Sequence, residues 1–225
     1  MYQLLSEQDD FIVINKDPNV HFHSQDGTAG VIAQAEADLG YKLYPVHRLD
    51  TPTSGLLIVA RTPQAANVFT QMFTAHQVQK YYLAIALGKP KKKQGWIVGD
   101  MAKSRRSMYK LLRTTDNPAM TQFFCASLSE GKRGYLLKPL SGKTHQLRVA
   151  LASIGVPILG DTLYGKDDSD RCYLHAYCVH FNYLGQQYAF EQLPLHGDQF
   201  VDESFVQLVN EQWDQPERLL WPSKR

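Results

Sequence analysis

Between Tyr44 and Gly55 the chain reads YPVHRLDTPTSG, which sets an imidazole (His47), a guanidinium (Arg48) and a carboxylate (Asp50) around Leu49. Thr51, Pro52, Thr53, Ser54 and Gly55 then have the composition of a tight turn, because proline fixes φ and short hydroxyl side chains bond nearby backbone. The apolar run Leu56–Ala60 follows at once. A carboxylate held in such a place can attack as a nucleophile or take a proton as a base. By composition alone a loop aspartate is more often a turn former, so a chemical role for Asp50 needs support from elsewhere in the chain.

Other chemistries lack their motifs. Neither G-x-G-x-x-G nor G-x-x-x-x-G-K-[ST] occurs, so nucleotide phosphates have no glycine-rich cradle. No G-x-S-x-G elbow presents a nucleophilic serine. His47–Asp50 looks like a kinase catalytic loop, but Leu49 interrupts H-R-D and no D-F-G follows. Of the eight histidines only His21/His23 and His175/His180 form local pairs, and H-E-x-x-H is absent, so no metal is expected. Cys125, Cys172 and Cys178 are odd in number and lack a C-x-x-C pair. They read as reduced cysteines of a cytoplasmic protein.

The net charge of +2 is unevenly spread. Lys89, Lys91, Lys92, Lys93, Lys103, Arg105, Arg106, Lys110 and Arg113 face only Asp100 within their segment, a local charge of +8. Such a field can attract phosphates while the molecule stays soluble. A solvated basic hairpin without a partner is an equal reading of charge alone. No apolar run approaches the roughly 20 residues that span a bilayer, and the N-terminus lacks the basic and apolar blocks of a signal peptide.

The elements that would position these residues can be read from periodicity. DFIVINKD, LLIVAR and KYYLAIALG read as strands, and GVIAQAEADLG as a helix stopped by Gly40. Thr62 and Pro63 cap a helix through QAANVFTQMFTAH, with Val68 and Met72 facing the core, joined by Phe69 and Phe73. GWIVGDM, SMYKLLRT, MTQFFCASL and GYLLKPL form a run of strands separated by turns. GKTHQLRVALASIG reads as a helix with Leu147, Leu151 and Ile154 inward and His145 and Arg148 on another face. CYLHAYCVHFNYL and QYAFEQL are further strands, and a C-terminal helix is expected at about 202–213. Strands outnumber helices and are not interleaved with them, which argues for an α+β fold with a mixed, largely antiparallel central sheet flanked by helices and loops. With no linker or repeat, a single domain over 1–225 is the simplest organisation.

HRLDTPTSGLLIVA resembles the central motif of the RluA family of RNA pseudouridine synthases, in which H-R-L-D, two variable residues and T-S-G precede a buried strand. Three further stretches resemble that family in the same order. They are KYYLAIALG (its K-x-Y strand), LKPLSGKTHQLRVAL (its strand, turn and H-Q-[IL]-R helix) and GVPILGDTLYG, after which LHA at Leu174–Ala176 also fits. The resemblance covers about residues 9–183. Two departures stand out: Asp17 separates Lys16 from Pro18, and RVALA lacks the histidine that many relatives have after R-V. No appended N-terminal RNA-binding module is expected, since the first strand begins by about Asp10.

The resemblance implies the pseudouridine synthase fold and an isomerase converting uridines of structured RNA to pseudouridine. Asp50 would be the essential carboxylate, as nucleophile or as base toward the ribose. Arg148 would pair with Asp50, and Tyr82 would stack on the target uracil and relay a proton. Tyr81 and Tyr82, adjacent on a strand, should point to opposite faces. His47, Arg48, Leu49, Lys80, His145 and Leu147 would shape substrate binding, with Arg48 holding a phosphate or the space vacated by an extruded base. Lys89, Lys91, Lys92, Lys93, Lys103, Arg105 and Arg106 would meet the RNA backbone. The partner is then RNA, ribosomal slightly before transfer RNA, with no cofactor, no membrane and no obligate protein partner, for a cytoplasmic monomer. The competing readings are an inactive RNA-binding protein of the same fold and, more remotely, a hydrolase using Asp50 and His47.

Overall fold

The computed structural model describes residues 1–25 and 27–223. In chain order its elements are β1 (Tyr2–Glu7), β2 (Phe11–Lys16), α1 (Val31–Leu39), β3 (Tyr44–Pro45), β4 (Ser54–Ala60), α2 (Pro63–Thr74), β5 (Gln79–Leu87) and β6 (Gln94–Gly99). They continue with β7 (Met101–Lys103), β8 (Tyr109–Leu111), β9 (Ala119–Ser127), β10 (Lys132–Pro139), α3 (Gln146–Ser153), β11 (Leu174–Tyr183), β12 (Gln186–Glu191) and α4 (Glu203–Gln212). The chain forms two compact units, Met1–Gln79 with His175–Leu193, and Lys80–Leu174 with the residues from Pro194 onward.

In the first unit β2 and β4 are buried along their whole lengths: the apolar runs FIVI and LLIVA account for most of this, and Asn15, Lys16 and Ser54 are buried beside them. They pair antiparallel from Phe11↔Ala60 to Lys16↔Gly55, and β1 adds to the outer edge of β2. That edge strand has only half-exposed and exposed positions and a bulge between Leu4 and Ser6. Lacking an apolar run, it left no strand signal in the sequence. β4 pairs parallel with β11 through His175↔Ser54 and Ala176↔Gly55, and β12 continues antiparallel from β11. Gly55 lies at φ +112°, and a Cβ there would sit 2.3 Å from the Ala176 carbonyl oxygen, so only glycine allows this approach. Helix α2 begins as expected, with the Thr62 hydroxyl accepting the Ala65 N–H at 3.1 Å and Pro63 in its first turn. Its buried stripe is Ala65, Phe69 and Met72, while Val68 is only half-buried. Phe69 rather than Val68 turns inward because Phe11 and Tyr183 supply ring surfaces at 5.3 and 4.9 Å.

The second unit holds an antiparallel sheet in the order β5, β10, β9, β6. Its register defines two ends. Tyr82 is opposite Leu137, Pro139 opposite Thr121, and Ala119 opposite Gly99 at one end. Leu87 opposite Lys132, and Gln94 opposite Phe124, mark the other. The segment read as GWIVGDM breaks at Asp100, beyond which β7 and β8 form a separate hairpin. The break has a local cause: Asp100 carboxylate oxygens accept the Asp116 and Asn117 N–H groups at 3.0 and 2.8 Å, folding the strand exit onto a turn. Helix α4 is N-capped by Asp202. Beyond it the Trp221 ring packs on Phe124 and Tyr81, and the Pro222 carbonyl accepts Trp96 Nε1–H and Gln122 Nε2–H. The expected α+β class and largely antiparallel mixed sheet are both present.

Candidate functional site

Asp50 is half-buried and follows exposed Arg48 and buried Leu49, which is 4% exposed. The turn begins at Asp50 itself, whose carbonyl accepts the Thr53 N–H at 3.0 Å. Four hydrogen bonds and one ring stack around it hold the loop. His47 Nε2 accepts the Ile58 N–H at 2.9 Å, while its ring stacks on Phe73 with centroids 4.6 Å apart. The Thr51 carbonyl accepts from Lys16 Nζ at 3.1 Å, and the Thr51 hydroxyl meets His21 Nδ1 at 3.2 Å. Ser54 Oγ lies 2.8 Å from His175 Nδ1.

Two of these anchors are buried polar groups that the sequence reading did not single out. Lys16 is completely buried, a rare state for lysine. Its Nζ donates to the carbonyls of Asp17, Val20 and Thr51 at 3.0, 3.0 and 3.1 Å, joining the exit of β2 to the Asp50 turn. His175 is 1% exposed, and its Nε2 lies 2.7 Å from the Gln192 carbonyl. A carbonyl only accepts, so Nε2 carries a proton and Nδ1 of the neutral ring accepts from the Ser54 hydroxyl. The sequence signals were present but mute: a lysine closing an apolar strand, and LHA at 174–176.

In the second unit Tyr81 and Tyr82 divide as alternation on a strand dictates. Tyr81 is fully buried against Trp221, whereas Tyr82 is half-exposed. Lys80 is half-exposed, and burial lowers its ammonium pKa below the ordinary lysine value. Its Nζ lies 4.0 Å from where a Cβ on Gly142 would stand, which brings it to the turn that leads into α3.

That turn explains the helix motif residue by residue. His145 is not the helical residue expected; it is the N-cap, with φ +57° in the left-handed region. Gln146 uses both ends of its amide. Its Oε1 accepts from the Ser141 hydroxyl and the Lys143 N–H at 2.8 and 3.0 Å. Its Nε2 donates to the Met120 carbonyl and Thr121 hydroxyl, both at 3.0 Å. Leu147 is buried. Arg148, 2% exposed, donates Nε and Nη2 to the two carboxylate oxygens of Asp161 at 2.7 and 2.8 Å. Asp161, also 2% exposed, accepts the Leu163 and Tyr164 N–H groups through Oδ1 as well. Such a bidentate, multiply bonded pair fixes the guanidinium plane. Asp161 stands in GVPILGDTLYG, where no role had been assigned to it.

His145 and Arg148 do meet on one face, through Tyr164. Tyr164 Oη accepts the Tyr109 N–H at 2.8 Å, leaving its own proton for His145 Nδ1 at 2.9 Å, and the Arg148 guanidinium lies 5.3 Å over its ring. Tyr109 belongs to β8, so the basic hairpin is pinned to the start of α3. The basic residues expected on one RNA surface fall into two groups. Lys103, Arg105 and Arg106 are exposed on the hairpin at the Gly99 end of β6, and Lys89, Lys91, Lys92 and Lys93 are exposed before its Gln94 end.

Among the described residues no group of three or more His, Cys, Asp or Glu is disposed to hold a metal ion, and no helix is long and apolar enough to cross a membrane.

The family model described as RNA pseudouridylate synthase matches residues 10–153. A Haemophilus influenzae protein described as an uncharacterised RNA pseudouridine synthase is 42% identical over 210 residues, covering 92% of this chain and 94% of its own. The dual-specificity RNA pseudouridine synthase RluA of Escherichia coli is 30% identical over 189 residues, covering 77% of this chain and 83% of its own. Among solved structures, human RNA pseudouridylate synthase domain containing 1 superposes with a TM-score of 0.74 at 26% identity, covering 85% of this chain and 83% of that one. This chain belongs to the RNA pseudouridylate synthase family, in its RluA-type branch, and is an isomerase acting on RNA.

Proposed function

We propose that Asp50 is the catalytic carboxylate with which this chain isomerises specific uridines of structured RNA, aided by Tyr82 and Arg148. The reaction breaks the N1–C1′ bond, turns the uracil and rejoins it through C5, so the proton lost from C5 is balanced by one gained at N1. Asp50 acts as nucleophile or as base toward the ribose. The observation that carries this reading is the Asp50 turn. A half-buried carboxylate stands on a loop whose neighbours at 47, 51 and 54 are each tied to scaffold atoms. Fixing the supports while the carboxylate remains partly accessible is the preorganisation that catalysis requires.

Arg148 would use the guanidinium edge away from Asp161 to meet Asp50 and keep it ionised. Tyr82, the accessible member of its pair, would face the uracil. Lys80, His145 and Leu147 would shape the pocket around the base, and Arg48 would hold a phosphate beside it. His47, with Nε2 and ring face already engaged by Ile58 and Phe73, would serve by positioning the loop. Both units would form one catalytic domain, working as a cytoplasmic monomer without a cofactor. Ribosomal RNA is the preferred target and transfer RNA the second. Support comes from a 33% identical Rickettsia bellii relative named for the large ribosomal subunit, of whose length the match covers 61%, and from the dual-specificity relative.

The test is a map of pseudouridines in total RNA from a strain lacking this protein, restored with the wild type or with Asp50→Asn. The wild type should return one or a few missing sites and the variant none, with the variant still folded and RNA-bound. Restoration by Asp50→Asn would overturn the assignment. Restored sites in transfer RNA alone would overturn the ribosomal preference.

A further inference from the structure

We propose that the lysine loop between β5 and β6 is a second, distal RNA-backbone contact, which grips nucleic acid extending about 17 Å beyond the catalytic tyrosine. The proposal rests on the pseudouridine synthase reading for the kind of partner and goes beyond it in separating two contacts on one RNA.

The sheet register of the second unit sets the distance. Five strand steps separate Tyr82 from Leu87 on β5, and five separate Gly99 from Gln94 on the antiparallel path back. At about 3.3 Å per residue each path spans roughly 17 Å. The hairpin bearing Lys103, Arg105 and Arg106 therefore leaves the sheet at the Tyr82 end, and Lys89, Lys91, Lys92 and Lys93 stand at the opposite end. What reads in sequence as one basic segment is two charged groups held a strand length apart.

The distal loop has the construction of a contact surface. Gly88, at φ +90°, donates its N–H to the Gly131 carbonyl, and the Lys93 carbonyl accepts the Cys125 N–H at 2.7 Å. Pro90 is buried between these ties, while Lys89, Lys91, Lys92 and Lys93 all project into solvent. Among the described residues none of the four is held in an ion pair. Lys132 and Arg133 at the start of β10 add to the same end, opposed by Glu130 and Asp202. Four solvated ammonium groups on a tethered loop lose little backbone freedom on meeting phosphates, and each phosphate neutralised releases counterions. A span of about 17 Å corresponds to roughly five stacked nucleotides at about 3.4 Å per step. RNA seated with its target at Tyr82 and running along the sheet would reach the lysines only if it continues that far.

The experiment compares wild type with the triple variant Lys91→Gln, Lys92→Gln, Lys93→Gln. The probes are two labelled RNA stem-loops sharing one uridine-containing loop, one of 12 and one of 40 nucleotides. On the long probe the variant should bind about tenfold more weakly at 0.1 M salt, and the slope of log Kd against log salt should fall by roughly two to three. On the short probe Kd should change less than twofold. An unchanged Kd on the long probe would mean a merely solvated loop and overturn the proposal. An equal loss on both probes would also overturn it, since the loop would then belong to the primary contact. Because both measurements read binding, absence of pseudouridine in the strain experiment would sink the enzymatic reading without deciding this one. Unchanged circular dichroism and Tm confirm that the variant is folded.

Discussion

At the scale of single residues, the candidate site is held by polar groups that have been taken out of water and given fixed partners. Arg148 and Asp161 are the clearest pair, since both are 2% exposed and joined by two short hydrogen bonds. Asp161→Asn keeps the side-chain shape but removes the charge from the carboxylate that takes two of the buried guanidinium's hydrogen bonds, which should cost about 3–5 kcal/mol. Urea denaturation should show that loss, together with a fall in turnover, while a variant within about 1 kcal/mol of wild type would contradict the role given to the pair. His47 and Arg48 are neighbours with separable tasks. His47→Phe keeps a ring against Phe73 but deprives the Ile58 N–H of its acceptor, so stability should fall by about 1–3 kcal/mol with RNA affinity little changed. Arg48→Ala, at an exposed position, should weaken RNA binding and leave Tm within a degree or two. Measuring Kd and Tm on both variants checks the division.

At the scale of elements, strands deliver the functional side chains and segments remote in sequence hold those strands in place. β5 carries Tyr82 outward by placing Tyr81 in the core, and Tyr81 packs on Trp221 from the C-terminal segment. The same segment closes over the sheet through the Pro222 carbonyl, which binds side chains of β6 and β9. A chain ending at Arg218 would lose a half-buried tryptophan and both hydrogen bonds. It should be less stable by roughly 2–4 kcal/mol and should show faster hydrogen exchange in β5, β6 and β9. Protection unchanged in those strands would show that the segment is dispensable. Similarly, β8 reaches the start of α3 through Tyr109 and Tyr164, so the basic hairpin is tied in place beside His145 and Arg148.

For the whole molecule, pH acts through groups at turns and caps as well as at the site. Hydrogen bonds from Thr114 and from the Asp116 and Asn117 backbone hold the Asp100 carboxyl below the usual range, and bonds from Ser204 do the same for Asp202. A carboxyl depressed in the fold stabilises it fully above its unfolded pKa of about 4 and loses that contribution as pH falls through the folded value. At the alkaline side burial, with a bond to Asp10, pushes Tyr183 up to about 12. A hydroxyl whose pKa is raised on folding contributes fully below its unfolded pKa of about 10 and progressively less as pH climbs toward 12. Through these groups stability should therefore fall as pH drops below about 4 and as it rises above about 10. Urea midpoints across pH 2–12 would check both limbs. Asp100→Asn should flatten part of the acid limb.

Local sequence was enough for what local physics decides. Unbroken apolar runs specified β2 and β4, Thr62 and Pro63 started α2, Gly40 and Gly155 followed the ends of α1 and α3, and alternation separated Tyr81 from Tyr82. The motif around Asp50 could be read because its turn is made by adjacent residues. Tertiary structure alone decided which groups hold that turn and which hold helix α3: Lys16 against Thr51, His175 against Ser54, Asp161 against Arg148. It also divided one basic run into two patches. Each of these depends on partners separated along the chain or on strand direction, and hydrophobic periodicity carries no information about which distant polar atom will fill a buried donor's demand.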